Sequence, residues 1–201
     1  MRTFFTAILL AWVGLTAAPS RADTVEVANV KYDTTLDLAG QKLQLNGAGI
    51  RYKFVIKVYT AGLYLTTKAS TTAEALAAPG PKRMQIQMLR EIDGNELGKL
   101  FTKGMEANAP RDEFVKSING VLKLSEVFAS RRALASGDTF SVDYVPGVGS
   151  MFNLNGKPLM TDPIKEPEFF SAMLRIWLGD KPADDSLKEA LLGIKRERVR
   201  R

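Results

Sequence analysis

Residues 46–65, NGAGIRYKFVIKVYTAGLYL, decide the fold of this chain. The first four residues are Gly-rich and predict a tight corner. From Tyr52 onward the even positions are Tyr, Phe, Ile and Val, and this period-two apolar face predicts one long β-strand to the end of the segment. The odd positions begin with cations and become apolar at Tyr59, so we expect the strand to pass from a sheet edge into a core. Arg51 lies where the corner meets the strand, a position suited to holding an anion.

Alternation and capping signals predict the elements on either side of this segment. Strands are expected at 25–32, 42–45, 82–90, 139–145 and 150–154. Helices are expected at 70–77, 93–109, 112–122, 167–178 and 186–192, with Thr71 or Ser70 and then Asp93 as N-caps. Strands and helices are segregated along the chain rather than alternating as βαβ units. This order predicts an α+β domain with a large, mainly antiparallel sheet and helices covering one of its faces.

Composition narrows the chemistry that the chain can perform. Its 201 residues are 45% hydrophobic and 25% charged, which suits one domain with a sizeable core. The absence of cysteine excludes disulfides and thiolate catalysis, and the absence of histidine excludes a Ser-His triad and an ordinary zinc site. The Gly-rich residues 46–49 have no predicted helix behind them, so they do not indicate a nucleotide site. We therefore expect no cofactor.

The N-terminus predicts a secretory signal peptide. A basic start at Arg2 precedes the apolar stretch 4–15, and the small-x-small sequence 20–22 predicts cleavage after Ala22. A single domain, 23–201, would then be periplasmic or secreted. The apolar stretch is short for a membrane span, and a retained N-terminal anchor is the alternative interpretation. No later stretch predicts a transmembrane span.

The mature chain is mildly basic, and much of its charge is at its end. Removing residues 1–22 takes away Arg2 and Arg21 and leaves 26 bases against 22 acids. The C-terminal residues 195–201, KRERVRR, indicate a solvated helix end or a weak contact with an anionic surface or a partner. Basic and aromatic residues are not interleaved, so nucleic-acid binding is not expected.

The central segment resembles the chalcone isomerase-like superfamily, and most closely its exported, bacterial-type branch. Gly47-x-Gly49-x-Arg51, followed by KVYTAGLYL at 57–65, matches a pattern that plant members carry as Gly-x-Gly-x-Arg and Lys-Phe-Thr-x-x-Gly-Val-Tyr-Leu. The stretches 169–179 and 186–193 are similar to the family's C-terminal helices. The resemblance implies an open-faced β-sandwich, in which a ligand cleft lies between a large antiparallel sheet and its helices.

The resemblance also implies which functions to expect. The family includes enzymes that convert chalcones to flavanones and non-catalytic members that bind fatty acids. Arg51 matches the retained arginine of the enzymes, whereas their catalytic Lys, Tyr and Asn fall near Met88, Leu97 and Gly104, whose side chains cannot polarise a ketone. The favoured hypothesis is a non-catalytic binder of a small amphipathic carboxylate such as a fatty acid. An isomerase relying on Arg51 and a periplasmic partner protein remain the alternatives.

The predicted ligand-binding residues fall into a polar pair and an apolar set. Arg51 would hold the carboxylate and Tyr59 would add a hydroxyl, while an acyl chain would contact Met84, Ile86, Met88, Leu97 and Phe101. The alternatives are an Arg51 paired with a carboxylate of its own chain, a Tyr59 that is core with a satisfied hydroxyl, and apolar residues that only form core. Trp177 is interpreted as packing. On one straight strand, the eight steps from Arg51 to Tyr59 span roughly 26 Å. A shared site therefore requires the corner to fold Arg51 back, or a bulge near Ile56.

Overall fold

The computed structural model of the protein describes residues 23–194. The predicted signal peptide and the basic tail 195–201 lie outside the described residues. The strands are β1 Thr24–Val27, β2 Val30–Asp33, β3 Thr35–Leu38, β4 Gln41–Lys53, β5 Ile56–Leu65, β6 Lys82–Met88, β7 Ile92–Asp93, β8 Ala133–Leu134, β9 Thr139–Val145, β10 Gly149–Leu154 and β11 Lys157–Pro158. The helices are α1 Thr72–Ala77, α2 Gly94–Asn108, α3 Arg111–Lys116, α4 Ile118–Ala129, α5 Pro167–Leu178 and α6 Asp185–Leu191.

Seven of these strands form one antiparallel sheet in the order β11-β10-β9-β6-β5-β4-β3. The helices pack on one side of the sheet, which confirms the predicted α+β class. The main core lies between the helices and the central strands, and α5 supplies much of it because Phe169, Trp177 and their neighbours are buried. A smaller cluster that includes Tyr32 and Tyr64 forms a second core, to which the β1–β2 hairpin contributes.

Residues 46–65 form a hairpin rather than one long strand. β4 ends at Lys53, β5 begins at Ile56, and Phe54 and Val55 form a two-residue turn that pairs Lys53 with Ile56. Phe54 adopts a left-handed backbone conformation with φ of 58°. The prediction of a strand running through position 54 is therefore wrong. The two turn residues are apolar and continue the alternation of the strands on either side, so the sequence pattern does not reveal the turn.

The predicted corner at 46–49 is also wrong, because these residues lie inside β4. The register shifts between Leu45 and Gly47, which leaves Asn46 in a β-bulge. The buried Asn46 amide donates to the carbonyls of Ala69 and Leu191, at 2.9 and 2.7 Å. A Cβ on Gly47 would lie 2.0 Å from the Ala190 carbonyl oxygen, so this glycine allows α6 to approach the sheet.

Several other predicted elements differ only in their limits. Residues 25–32 form the β1–β2 hairpin rather than one strand, and 42–45 belong to β4. The helix expected at 112–122 is divided at Ser117 into α3 and α4. The predicted caps are confirmed, since Thr71 accepts from the Glu74 amide and Asp93 from the Glu96 amide. The predicted helix at 167–178 coincides with α5.

Candidate functional site

A cavity of about 280 Å³ lies between the sheet and the helices. Its wall is largely apolar and is built by β5, β6, β9, α2 and α5. The main apolar lining residues are Ile86, Met88, Leu97, Phe101, Phe140 and Trp177. Exposed side chains, among them Leu100 and Lys103, line it as well, so the cavity opens to the surface beside α2.

The hairpin brings Arg51 and Tyr59 together in the wall of this cavity. The two residues are directly paired across β4 and β5, and the Arg51 Cζ atom lies 5.7 Å from the centroid of the Tyr59 ring. The register shifts immediately beyond this pair, which leaves Val58 as a bulged residue. The separation of roughly 26 Å expected for a straight strand does not arise, because the turn at 54–55 folds the chain back.

Arg51 is half-buried, and it belongs to none of the salt bridges of the described residues. Three salt bridges form within residues 23–194, namely Arg83–Asp143, Lys116–Glu168 and Arg175–Glu113, and none of them includes Arg51. The alternative interpretation of Arg51 as the partner of a carboxylate is thus not supported in this part of the chain. Lys103 and Lys181 are exposed lining residues and add positive charge at the opening.

Tyr59 lines the cavity and carries a protonated hydroxyl. Its oxygen accepts a hydrogen bond from Trp177 Nε1 at 2.8 Å. Burial raises the pKa of Tyr59, and the Trp177 hydrogen bond and the Arg51 charge only partly oppose this effect. The hydroxyl therefore keeps its proton at neutral pH and can donate it to an oxygen of a bound molecule.

Two side chains brace the edge of the cavity. Asp184 caps α6 by accepting from the Leu187 amide at 2.9 Å, and it also accepts from the Tyr52 amide at 2.8 Å. Its carboxylate thus ties the hairpin, one residue from Arg51, to the start of α6. Asn108 joins α2 to the segment before α6, since it accepts from the Lys181 amide at 2.7 Å and donates to the Lys181 carbonyl at 2.9 Å.

Six of the seven residues predicted from sequence to bind a ligand line this one cavity: Arg51, Tyr59, Ile86, Met88, Leu97 and Phe101. Met84 is fully buried beside Leu63 in the core and is not among the residues that line the cavity. Ligand contact by all seven residues stays a prediction. Sequence reasoning interpreted Trp177 as packing, and no local signal revealed its hydrogen bond to a residue 118 positions away.

The three positions near which the resemblance places the catalytic residues of the family's enzymes also lie in this wall. Met88, Leu97 and Gly104 all line the cavity. They provide a thioether, an isobutyl group and a hydrogen, so none of them can transfer a proton. Among residues 23–194 there is no cluster of three or more acidic side chains that could hold a metal ion.

The fold and the site together define an open-faced sheet that carries a cavity beneath its helices, and this is the architecture of a known family. A chalcone isomerase-like family model matches residues 24–193, and the chain belongs to this family. The crystal structure of a fatty-acid binding protein from Arabidopsis thaliana has the same fold, with a TM-score of 0.65 and 12% sequence identity over 85% of this chain and 96% of the plant chain. A search of curated proteins found no match. In the described part of the chain, no helix is both long and apolar enough to span a bilayer.

Proposed function

We propose that the protein is a non-catalytic binder of a small amphipathic carboxylate, with a fatty acid as the model ligand. The observation that carries this proposal is the pairing of Arg51 with Tyr59 in the wall of an otherwise largely apolar cavity. The fatty-acid binding neighbour of the same fold supports the ligand class.

The chemistry of the pair suits a carboxylate. The planar guanidinium of Arg51 can bind both carboxylate oxygens, and the Tyr59 hydroxyl can donate to one of them. The apolar surroundings lower the local dielectric constant and strengthen these contacts relative to water. The aliphatic chain would lie against Ile86, Met88 and Phe101, where each buried methylene contributes about 0.8 kcal/mol.

The size of the cavity limits the ligand. Its volume of about 280 Å³ is near the lower end of the range of roughly 300–1,000 Å³ found for small-molecule sites. We expect short and medium acyl chains to be enclosed, and longer chains to extend through the opening beside α2.

We also propose that the protein is exported. The basic start, the apolar stretch 4–15 and the small residues at 20 and 22 support this location. The N-terminal sequence of the protein recovered from the periplasm or medium should begin at Asp23. Protein that retains residues 1–22 would contradict the proposed cleavage.

The ligand is tested by native mass spectrometry and calorimetry. Protein purified from its host should release an amphipathic carboxylate on denaturation, and delipidated protein should bind a fatty-acid series. In Arg51→Met the dissociation constant should rise about ten-fold or more, because a hydrogen-bonded charge contributes about 1.5–3 kcal/mol. Lys99→Met is the matched control, since it removes one exposed positive charge from α2 outside the cavity lining.

Two outcomes would contradict the proposal. One is an empty protein that also fails to bind the fatty-acid series. The other is the same loss of affinity in Arg51→Met and Lys99→Met, which would indicate a general charge effect. The isomerase alternative is measured on the same samples: ring closure of a chalcone faster than in buffer, and lost in Arg51→Met, would replace binding with catalysis.

A further inference from the structure

The tip of the β4–β5 hairpin presents apolar side chains to solvent. Phe54 is 92% exposed and Val55 is 90% exposed, and they are the two most exposed large hydrophobic residues in the described chain. The neighbouring Ile56 is 43% exposed. The hydrogen bond from Tyr52 to Asp184 ties the base of the tip to α6, and the turn extends beyond this attachment. We call residues 53–57 the hairpin tip.

The identity of the turn residues is not explained by folding. Phe54 has a positive φ and Val55 does not, which is the sign pattern of a type II′ turn. Glycine is favoured at the first central position of such a turn, and a bulky side chain there is strained. The Phe54 side chain does not pack in the core, since almost all of it is exposed. Strained backbone of this kind is concentrated at functional segments.

Positive charge flanks these apolar residues. Residues 51–57 contain three bases, Arg51, Lys53 and Lys57, and no acid. Lys53 and Lys57 lie at the two ends of the hairpin tip and are exposed. An apolar tip between two lysines matches the layered chemistry of an anionic lipid surface, in which phosphate groups lie above hydrocarbon.

The shape of the tip favours a bilayer over a protein partner. A stable protein interface buries about 800 Å² on each partner, whereas this tip is a narrow two-stranded end with few apolar side chains. A fluid bilayer can surround such a convex end without a complementary pocket.

We infer that the hairpin tip inserts into the headgroup region of an anionic lipid bilayer. Phe54 and Val55 enter the apolar boundary, and Lys53 and Lys57 contact the phosphate layer. Arg51, Val58 and Tyr59 line the cavity and directly adjoin the tip, so docking places the cavity next to the lipid. The inference does not depend on the proposed ligand, because docking requires no occupied cavity.

Vesicle flotation tests the inference on chain 23–201, which contains every described element and omits the apolar stretch 4–15. Vesicles of phosphatidylcholine alone are compared with vesicles containing phosphatidylglycerol. Wild-type protein should float with the anionic vesicles, and Phe54→Gly should reduce the partition coefficient about ten-fold or more, because the buried aromatic surface is lost. The combined change Lys53→Gln and Lys57→Gln should cost about five-fold for each lysine, and added salt should have the same effect.

Controls separate docking from unfolding and from the basic tail. Phe54→Gly introduces the residue that the turn favours, so its melting temperature should equal or exceed that of wild type. Leu122→Ser alters an apolar side chain on α4 that is 59% exposed, and it should leave flotation unchanged. The inference is overturned if wild-type protein does not float, or if Phe54→Gly floats as wild type does. It is also overturned if removal of residues 195–201 alone abolishes flotation, or if Phe54 proves to hold a dimer in solution.

Discussion

The Tyr59 side chain meets an indole N–H at its hydroxyl and a guanidinium at its ring. It accepts from Trp177 Nε1 at 2.8 Å, and its ring faces the Arg51 cation at 5.7 Å. One oxygen thus satisfies a buried donor of α5 and keeps its own proton for donation. The packing of α5 and the proposed binding of a carboxylate depend on this same atom.

Tyr59→Phe should reduce stability as well as affinity. The Trp177 N–H would lose its acceptor while buried, which costs about 1–3 kcal/mol in the free energy of unfolding. Urea denaturation measures this change, and calorimetry with a fatty acid measures the accompanying loss of affinity.

Tyr144→Phe is the matched control for this change. Tyr144 is half-buried and stacks on Phe170 at 5.2 Å, outside the cavity lining. It should leave the fatty-acid affinity unchanged. Equal stability of Tyr59→Phe and wild type would show that the indole does not depend on this hydroxyl.

At the scale of elements, the site depends on how α6 is placed against β4. Gly47 allows this approach, and Asp184 at the start of α6 holds the hairpin through the Tyr52 amide. The helix therefore fixes the position of the strand that carries Arg51.

Gly47→Ala should separate α6 from the sheet. The added methyl group would meet the Ala190 carbonyl at 2.0 Å, and relief of this clash should lower the free energy of unfolding by about 1–3 kcal/mol. Gly98→Ala on α2 is the control, because its methyl group would lie 3.6 Å from the nearest atom and alanine favours a helix by about 0.5–1 kcal/mol. Chemical denaturation of both variants checks the difference, and equal effects would contradict this account.

The sequence predicts most elements but misplaces the hairpin, for a physical reason. The caps at Thr71 and Asp93 and the apolar spacing of α5 are local signals, and the structure confirms them. The turn at Phe54 and Val55 carries neither Gly, Asn nor Pro, so its alternation looks like continued strand. Conversely, the glycine at 47 indicates a corner, although it makes room for α6, which lies about 140 residues later.

The site was predictable to the extent that its residues share a strand face or a helix face. Ile86 and Met88 alternate along β6, and Leu97 and Phe101 are four residues apart on α2, so periodicity groups them. The same alternation included Met84, but only the three-dimensional position of the cavity shows that it ends before this residue. Trp177 and Asp184 reach the site through tertiary packing, which no local pattern encodes.

At the scale of the whole molecule, buried tyrosines couple stability to alkaline pH. Burial raises the pKa of Tyr32 to about 12, although its hydrogen bond to Thr60 at 2.7 Å opposes the shift. Burial also raises the pKa of Tyr59 and Tyr64. Below pH 10 these groups are protonated in both states, so their contribution to stability is complete.

Stability should fall as the pH rises from about 10 to about 12. The unfolded chain then releases the Tyr32 proton while the folded protein retains it, and this residue alone accounts for about 2–3 kcal/mol. Tyr32→Phe should show a shallower decline in the free energy of unfolding, measured by urea denaturation at each pH. Identical slopes for the variant and wild type would contradict the assignment.

The hydrogen bond between Trp177 and Tyr59 has a spectroscopic consequence. The chain contains two tryptophans, Trp12 and Trp177, and the first lies in the predicted signal peptide. In chain 23–201 all tryptophan fluorescence therefore comes from Trp177, in the wall of the cavity. A molecule that enters should shift the emission maximum or change its intensity, so unlabelled compound libraries can be screened by fluorescence alone.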